Sequence, residues 1–337
     1  MKNRKFLIRT GRILFLLLML PLFLFAGCEQ GTVQSKTPPQ NKEIRRGTIA
    51  VSYINGKNKY FPTLANAIEA KAKEKGYGFI AQDAQLDPER QIRQINRFIE
   101  DKVAAIVLLP TDSVAVGPSV RKANQAGIPV FTADVAVHDP FAKIVCHIAT
   151  DNYSGGKLAA IQMLEALGRK GKVAIVDDPG LESVQLRTRG FREVIAFANQ
   201  EGAQIEIVSA MPGYGSEEKS ILTAREILND HSDIDGIFAI NAPTCLGVLK
   251  VLRERGLDKK IKIVSFDGAE EIKVLVDQGI VYSDIIQLPK EIGEKTFDCL
   301  HEYLNGKMIL SQILFATSVY SRQNGEQKNN LKGGIKE

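Results

Sequence analysis

The sequence predicts an α/β protein built from two doubly wound lobes, and three observations support that prediction. From Gly47 onward, short β-branched runs alternate with longer amphipathic segments. Several of the short runs are almost continuously apolar, which is typical of parallel strands covered on both faces. The alternating region spans about 280 residues, which exceeds what one open sheet needs and suits two domains of about 130 residues each.

Ten short segments are predicted to be strands, and helix-length segments lie between most of them. The apolar run AAIVLL, which ends at Leu109, shows the strand pattern clearly. Ile92, Ile95, Phe98 and Ile99 recur at helical spacing among Arg, Gln and Asn, which indicates an amphipathic helix. The predicted strands are residues 48–54, 78–82, 104–109, 129–133, 143–149, 172–176, 204–209, 236–240, 262–266 and 281–286.

The ten strands divide naturally into two sheets of five, with a boundary near Thr150. Right-handed crossovers place the carboxyl ends of the strands of each sheet along one edge, where open α/β sheets bind ligands. Two such edges facing each other form a cleft. The side chains at the strand ends therefore indicate the function.

The first 27 residues are predicted to be a signal peptide. Five basic residues open the chain, residues 13–25 carry no charge, and the small Ala26 and Gly27 stand before Cys28. The uncharged run is shorter than a comfortable membrane span. An uncleaved N-terminal anchor is the alternative, and it would also leave the folded part outside the cytoplasm.

Residues 28–46 are polar, contain paired prolines and are predicted to be a tether. Loss of the signal peptide would bring the formal net charge of +5 down to about zero, so the basic pI gives no argument for nucleic acid. Cys146, Cys245 and Cys299 have apolar neighbours and are predicted to be core residues, and one buried disulfide among them is left open. No cysteine spacing indicates zinc, and no cofactor is predicted.

Hydrogen-bonding and aromatic side chains gather at the predicted strand ends. Carboxylates accept from hydroxyls, Arg donates, Asn and Gln do both, and aromatic faces cover the apolar side of a ring, so the set suits a polyhydroxylated ligand. The candidates are Ser52, Tyr60, Phe61, Asp134, Arg187 at the opening of a helix, Tyr214, Asn241, Asp267 and Gln287.

Each candidate also has a purely structural interpretation. An Asp at a strand end is often a helix cap, and Asp112 before Ser113 is interpreted as a cap. Tyr60 and Phe61 could belong to a core, although their neighbours favour a loop. One of the two nearby arginines, at positions 187 and 189, is expected to be a surface charge only.

Several motifs, in order along the chain, resemble the periplasmic ribose- and sugar-binding protein family. The resemblance extends from Gly47 to about Tyr320, and it implies two Rossmann-like lobes joined by a three-strand hinge. It also implies a sugar bound between the lobes and delivered to an ABC permease. The motifs are PTDSVAVG from Pro110, ANQAGIPV from Ala123, TDNYSGGK from Thr150, FDG from Phe266 and QLPKEIG from Gln287.

The family resemblance implies the lobe boundaries, and a second resemblance, at Cys28, implies a lipid anchor. One lobe comprises residues 47–150 and 288–314, and the other comprises 151–287 and 315–320. A final short strand near residues 313–320 is expected to cross back between them, and residues 321–337 are assigned no structure. The string LFLFAGC resembles a bacterial lipobox, which implies that Cys28 is lipidated and holds a monomeric protein on the outer face of the cell membrane.

The family's sugar contacts fall on the nine candidates above, with Asn58 as a further match in the first loop. Two positions depart from the family, because Leu109 stands in place of an Asn and Val135 in place of an Arg. Hydroxyls of ribose left unpaired there would cost about 1–3 kcal/mol each. The prediction is therefore a sugar or related polyol other than ribose.

Closure is predicted to follow from contacts that the ligand makes with both lobes, to Asp134 on one and to Arg187, Asn241 and Asp267 on the other. Replacement of Arg187 or Asp267 by Ala is expected to abolish binding and to leave the melting temperature of the ligand-free protein little changed. A membrane sensor kinase or chemoreceptor is the alternative partner.

Two other functional classes fit the sequence less well. A transcription regulator with these lobes would need a DNA-binding module before Gly47, where the signal peptide and tether leave no room for one. The nucleotide-binding and HExxH motifs of enzymes are missing. Ser154 and Lys157 match SxxK without its companion motifs, and they are interpreted as part of a helix start near the hinge. No catalytic residue is predicted.

Overall fold

The structure is a computed structural model and describes residues 46–322. The predicted signal peptide, the lipidation of Cys28, the tether before Arg46 and the tail after Arg322 lie outside the described residues. Within residues 46–322, no helix combines the length and the apolar character needed to cross a membrane.

The first lobe is a six-stranded parallel sheet with helices on both faces. Its strand order is β11-β5-β4-β3-β1-β2. Its strands are β1 (Thr48–Tyr53), β2 (Gly78–Asp83), β3 (Ala105–Leu108), β4 (Val130–Ala133), β5 (His147–Thr150) and β11 (Gln312–Phe315). Its helices are α1 (Tyr60–Glu74), α2 (Pro88–Glu100), α3 (Gly117–Gln125) and α9 (Pro289–Leu304).

The second lobe repeats this plan, with strand order β12-β10-β9-β8-β6-β7 and an antiparallel β12 at one edge. Its strands are β6 (Lys170–Asp177), β7 (Gln204–Pro212), β8 (Gly236–Ala239), β9 (Lys262–Asp267), β10 (Ser283–Ile286) and β12 (Ser318–Ser321). Its helices are α4 (Asn152–Ala166), α5 (Glu182–Gln200), α6 (Glu217–Asp230), α7 (Ala242–Glu254) and α8 (Glu270–Asp277).

The predicted fold class is confirmed: the chain folds into two α/β lobes with parallel-sheet cores. Within the described residues the chain passes between the sheets three times, after β5, after β10 and between β11 and β12. These passages suit the predicted three-strand hinge. The lobe boundaries assigned from the resemblance stay predictions.

Three details of the predicted elements are corrected. The strand predicted over residues 143–149 begins only at His147, because residues 134–146 form a loop after β4. The single final strand predicted near residues 313–320 is two strands, and β11 and β12 belong to different sheets. Arg187 does not open its helix, since α5 begins at Glu182 and places Arg187 in the second turn.

Apolar residues fill both lobes, and the cysteines lie among them. Phe191 stacks on Phe238 in the second lobe, with the ring centroids 4.8 Å apart. Cys146, Cys245 and Cys299 are buried free thiols, so the disulfide left open by the sequence is not formed in this structure. Burial raises the pKa of the Cys245 thiol to about 12, which keeps it protonated and unreactive.

Candidate functional site

A cleft lies where the carboxyl ends of the two sheets meet. Its cavity has a volume of about 740 Å³. Asn58 and Tyr60 of the first lobe line it, with Asp267 from the end of β9 and Gln287 from the passage after β10. Tyr60, Asp267 and Gln287, which the strand-end argument proposed, and Asn58, which the family resemblance proposed, therefore line one cavity, and their contact with a ligand stays a prediction.

Two ion pairs join the lobes across the rim of the cleft. Lys57 Nζ lies 3.3 Å from Glu218 Oε1, and Lys59 Nζ lies 3.7 Å from Glu271 Oε2. The two glutamates sit in the first turns of α6 and α8, where a negative charge complements the helix dipole. Both pairs are largely exposed, so each contributes at most about 1 kcal/mol to lobe contact.

Arg187 is locked in place by the second lobe. Its Nε donates to Asn152 Oδ1 at 2.8 Å, and its Nη1 donates to the carbonyl of Ile240 at 2.7 Å. The guanidinium lies over the Phe266 ring, 3.8 Å from its centroid. A buried, stacked and hydrogen-bonded guanidinium of this kind presents its remaining donors in a fixed direction.

Close packing of α4 on α5 sets the position of that arginine. A Cβ atom on Gly156 of α4 would lie 2.0 Å from the backbone carbonyl oxygen of Arg187. A Cβ atom on Gly190 of α5 would lie 2.2 Å from the carbonyl oxygen of Tyr153. The helix backbones touch at these points, and only glycine permits such an approach.

Asp267 is the polar hub of the cleft. Its carboxylate accepts hydrogen bonds from the Ala242 amide at 3.2 Å, from Gln287 Nε2 at 2.8 Å and from Asn58 Nδ2 at 3.4 Å. Arg187 Nη1 lies 3.7 Å from its Oδ1. Burial raises the pKa of Asp267, and the neighbouring arginine and hydrogen bonds oppose that rise. Asn58 belongs to the first lobe, so its bond joins the lobes at this hub.

Tyr60 and Asp134 carry buried polar atoms without a partner. Within residues 46–322, neither the Tyr60 hydroxyl nor Asp134 Oδ1 has a partner at ordinary hydrogen-bond geometry, although the two side chains lie close enough to interact with each other. The two groups are neighbours, because burial and the Asp134 carboxylate both raise the pKa of Tyr60. Burial also raises the pKa of Asp134, to about 6. Buried polar groups are normally paired, so these two atoms indicate where a ligand would bind.

Backbone strain also concentrates here. Asp134, Tyr214 and Asp267 have positive φ angles of 68°, 53° and 110°, a region that non-glycine residues rarely adopt. Each follows or ends a strand at the cleft edge of its sheet. Such conformations cost about 1–3 kcal/mol each and concentrate at functional sites.

Four of the predicted ligand-binding residues either contact other parts of the protein or lie further from the cleft. Their roles in ligand binding stay predictions. Ser52 donates to Gln94 and accepts from Gln91 inside the first lobe. Phe61 is buried edge-on against its aromatic neighbour in α1, at 5.3 Å. The other two are Asn241, which caps α7 through the Thr244 amide, and the half-exposed Tyr214, whose ring lies beneath the Lys219 ammonium.

The two departures from the family are apolar core residues here. Leu109 and Val135 are fully buried in the same apolar cluster as Tyr60 and Phe61. Neither can pair with a ligand hydroxyl. These two positions therefore give the first lobe no hydrogen-bonding side chain for the ligand.

Sequence reasoning missed Asn152 and Thr150 as parts of this network. Asn152 holds the Arg187 guanidinium, and Thr150 Oγ1 donates to Gln287 Oε1 at 2.6 Å. Thr150 ends β5 and Asn152 opens α4, both inside the TDNYSGGK motif, and that position was an available signal. The interpretation of Asp112 as a helix cap is wrong, because α3 begins at Gly117 and Asp112 Oδ1 instead accepts from the amides of Val114 and Ala115, at 2.8 Å, in the turn before that helix.

Among residues 46–322, no group of three or more His, Cys, Asp or Glu side chains is placed to hold a metal ion. Two buried carboxylates and one buried guanidinium, from Asp134, Asp267 and Arg187, lie close to Tyr60. Such a set binds hydroxyl groups by accepting and donating hydrogen bonds.

Two known proteins are similar in sequence to this chain over most of its length. The ribose import binding protein RbsB of Bacillus subtilis is 29% identical over 298 residues, covering 88% of this chain and 94% of the relative. A D-ribose/D-allose-binding protein of Pseudomonas aeruginosa is 30% identical over 259 residues, covering 74% and 77%.

Solved structures agree with these sequence relatives. An ABC transporter periplasmic solute-binding protein of Actinobacillus succinogenes with bound D-allose has a TM-score of 0.75 at 29% identity, covering 84% of this chain and all of that one. A solute-binding protein of Agrobacterium vitis bound with α-D-tagatopyranose has a TM-score of 0.78 at 25% identity, covering 87% and 100%. The periplasmic binding protein domain model matches residues 49–308, and the chain therefore belongs to the periplasmic binding protein family.

Proposed function

We propose that this protein captures a sugar or related polyol between its lobes outside the cytoplasm and, on closing, delivers it to an ABC importer. The unpaired Tyr60 hydroxyl and Asp134 Oδ1 in the first lobe are the observation on which the proposal depends. Tyr60 and Asp267 line the cleft, and Asp134 and Arg187 lie close enough to Tyr60 to shift its pKa. The sugars bound by the relatives support the same conclusion.

Ligand binding favours closure because neither lobe alone can form hydrogen bonds with all of the ligand's hydroxyl groups. A ring hydroxyl can donate to Asp134 and accept from Tyr60 on the first lobe, while its other hydroxyls meet Arg187 and Asp267 on the second. Only the closed form offers both sets, so the ligand shifts the population towards it. An affinity in the micromolar range, about −8 kcal/mol, is sufficient for capture and release.

The ligand is proposed to be a sugar other than ribose. Leu109 and Val135 remove an amide and a guanidinium from the first lobe relative to the ribose-binding proteins, and both side chains are fully buried. A hydroxyl facing either one would lose its hydrogen bond on entering the site. Discrimination of at least tenfold against ribose is expected.

A thermal-shift screen of the purified protein tests the ligand class. The probes are D-ribose, D-allose, D-fucose, D-tagatose, myo-inositol and L-arabinose, each at 1 mM by design, about 1000-fold above a micromolar Kd. At that ratio a binder stabilises the protein by about 4 kcal/mol, which gives a clear rise in the melting temperature. The rise should vanish in Asp267→Ala. If every probe, and a wider panel of polyols, leaves the melting temperature unchanged, the proposal is wrong.

The protein is also proposed to be a monomer held at the membrane by lipid on Cys28. The small residues before Cys28 and the polar segment after it support this proposal. Incorporation of labelled palmitate into the full chain in bacterial cells, and its loss in Cys28→Ala, would be the supporting result. Equal labelling of both chains would contradict it. Size-exclusion chromatography with light scattering measures the oligomeric state.

Delivery to an importer is favoured over presentation to a sensor because the Bacillus subtilis relative is a ribose import binding protein and the two solved structures are ABC transporter solute-binding proteins. Cells that lack the gene should take up the sugar found in the screen more slowly, and a plasmid copy should restore uptake. A normal uptake rate in the deleted strain, with a lost transcriptional response to the sugar, would instead indicate the sensor role.

A further inference from the structure

We propose that Ser113 is an interlobe helix cap that stabilises the closed form without touching the ligand. Ser113 follows β3 in the first lobe and is 1% exposed. Its Oγ accepts a hydrogen bond from the Glu182 amide of the second lobe at 3.0 Å, and its own amide donates to the Gly180 carbonyl at 3.2 Å. This inference rests on the ligand-driven closure proposed above.

Helix α5 lacks a cap of its own. The residue at its N-cap position is Leu181, whose side chain makes no capping hydrogen bond. The first amides of a helix have no partner within the helix, and a Ser, Thr, Asp or Asn side chain usually supplies one. Here the hydroxyl comes from the opposite lobe, so Glu182 is capped only while the lobes are together.

The first lobe presents that hydroxyl from a fixed turn. Asp112 accepts from the two amides that follow Ser113, and the Ser113 carbonyl accepts from the His138 amide at 2.6 Å. Burial raises the pKa of Glu182, and the Ala136 amide, close to its carboxylate across the same seam, opposes that rise. A rigid turn on one lobe therefore meets the start of a long helix on the other.

The capped helix is the one that carries Arg187. Closure consequently satisfies the amino end of α5 while it brings Arg187 opposite Tyr60 and Asp134. In an open form, water would hydrate both the Ser113 hydroxyl and the Glu182 amide. Ser113→Ala should therefore destabilise the closed form relative to the open one, by about fivefold in the closing equilibrium.

A crosslinking rate measures closure without any sugar. Lys57→Cys and Glu218→Cys place two exposed thiols at the rim opposite each other, and the native cysteines at 146, 245 and 299 are buried. Reaction with excess of a short bismaleimide is followed on denaturing gels as intramolecular crosslinking. We expect Ser113→Ala to slow crosslinking about fivefold, since the rate follows the population of closed molecules.

Asp87→Ala is the matched control. Asp87 caps α2 through the Glu89 amide at 2.9 Å, entirely within the first lobe. Its loss should lower the melting temperature of the ligand-free protein and leave the crosslinking rate unchanged. Ser113→Ala should slow crosslinking and leave the melting temperature of the ligand-free protein little changed. Equal crosslinking rates with and without the Ser113 hydroxyl, or no crosslinking in either chain, would overturn the inference.

Titration with the tightest sugar of the screen supplies a second readout. Ser113→Ala should raise its Kd about fivefold, mainly through faster dissociation. An unchanged Kd would overturn the inference while leaving sugar binding intact. If no sugar binds, the proposed function fails, and the crosslinking rate still decides the role of Ser113.

Discussion

Asp134 is a buried carboxyl whose charge lowers the stability of the folded protein and is proposed to bind the ligand. Burial raises its pKa from 3.8 to about 6, although Arg187 opposes that rise. Between these two values the folded protein binds more protons than the unfolded chain, so stability falls as the pH rises through this window. At pH 7 the charged carboxyl costs at most about 3 kcal/mol, at about 1.4 kcal/mol per pKa unit.

Asp134→Asn should therefore raise the melting temperature of the ligand-free protein at pH 7 and abolish sugar binding. It should also reduce the gain in stability that the wild-type protein shows between pH 7 and pH 5. Urea unfolding at the two pH values measures both effects. Asp178, whose pKa burial also raises to about 6, remains in the variant and keeps part of the pH dependence. A lower melting temperature at pH 7 would show that the Asp134 charge is needed for folding.

Arg187 has a larger structural role than its sequence position suggested. Its removal would leave Asp267 buried beside amide donors but without its cation, and would leave Asn152 without its partner. Breaking a buried pair in this way costs about 3–5 kcal/mol. The expectation that the ligand-free protein would be little affected by Arg187→Ala is therefore revised.

Arg187→Ala should abolish sugar binding and lower the urea midpoint of the ligand-free protein. Addition of Asp267→Asn should recover part of the lost stability, because no unpaired charge then remains. Binding should stay lost in the double variant. A double variant less stable than Arg187→Ala would contradict this explanation.

At the scale of elements, the crossing of α4 and α5 positions the cationic side of the cleft. Gly156→Ala would place a Cβ atom against the Arg187 carbonyl, so the helices must separate. We expect a loss of about 1–3 kcal/mol in the free energy of unfolding, together with weaker sugar binding. Gly127→Asn is the control, because Gly127 has a φ of 75° and no neighbour within 4 Å, and asparagine tolerates that conformation. Equal losses for the two variants would contradict the role of the crossing.

At the scale of the whole molecule, the cleft is held shut by contacts of unequal strength. The rim pairs of Lys57 and Lys59 are exposed, whereas the Asp267 hub and the Ser113 cap are buried. Lys57→Ala combined with Lys59→Ala should raise the sugar Kd by at most about thirtyfold, and the effect should shrink at high salt. Calorimetric titration at two salt concentrations measures the sugar Kd of the wild-type protein and of the double variant. If the loss of sugar affinity is the same at both salt concentrations, these lysines contact the ligand.

Much of the architecture could be predicted because its signals are local. The β-branched runs, the helical stripe and the ordered motifs are read within short windows, and parallel strands bring their ends to one edge whatever the detailed packing. That reasoning placed Asn58, Tyr60, Asp267 and Gln287 at one cavity. It could not place Ser52 in its network with Gln91 and Gln94, which lie 39 and 42 residues away in the chain.

The sequence by itself determined the fold class and the polar character of the strand ends, since periodicity and strand-end chemistry depend on neighbours in the chain. Only the tertiary structure decided which of those side chains are already paired, as Arg187 is with Asn152, and which are left free, as the Tyr60 hydroxyl is. It also decided that Ser113 caps a helix of the other lobe, 69 residues away. Pairing depends on distances of a few ångströms between segments remote in sequence, and those distances are set only when the lobes have folded and met.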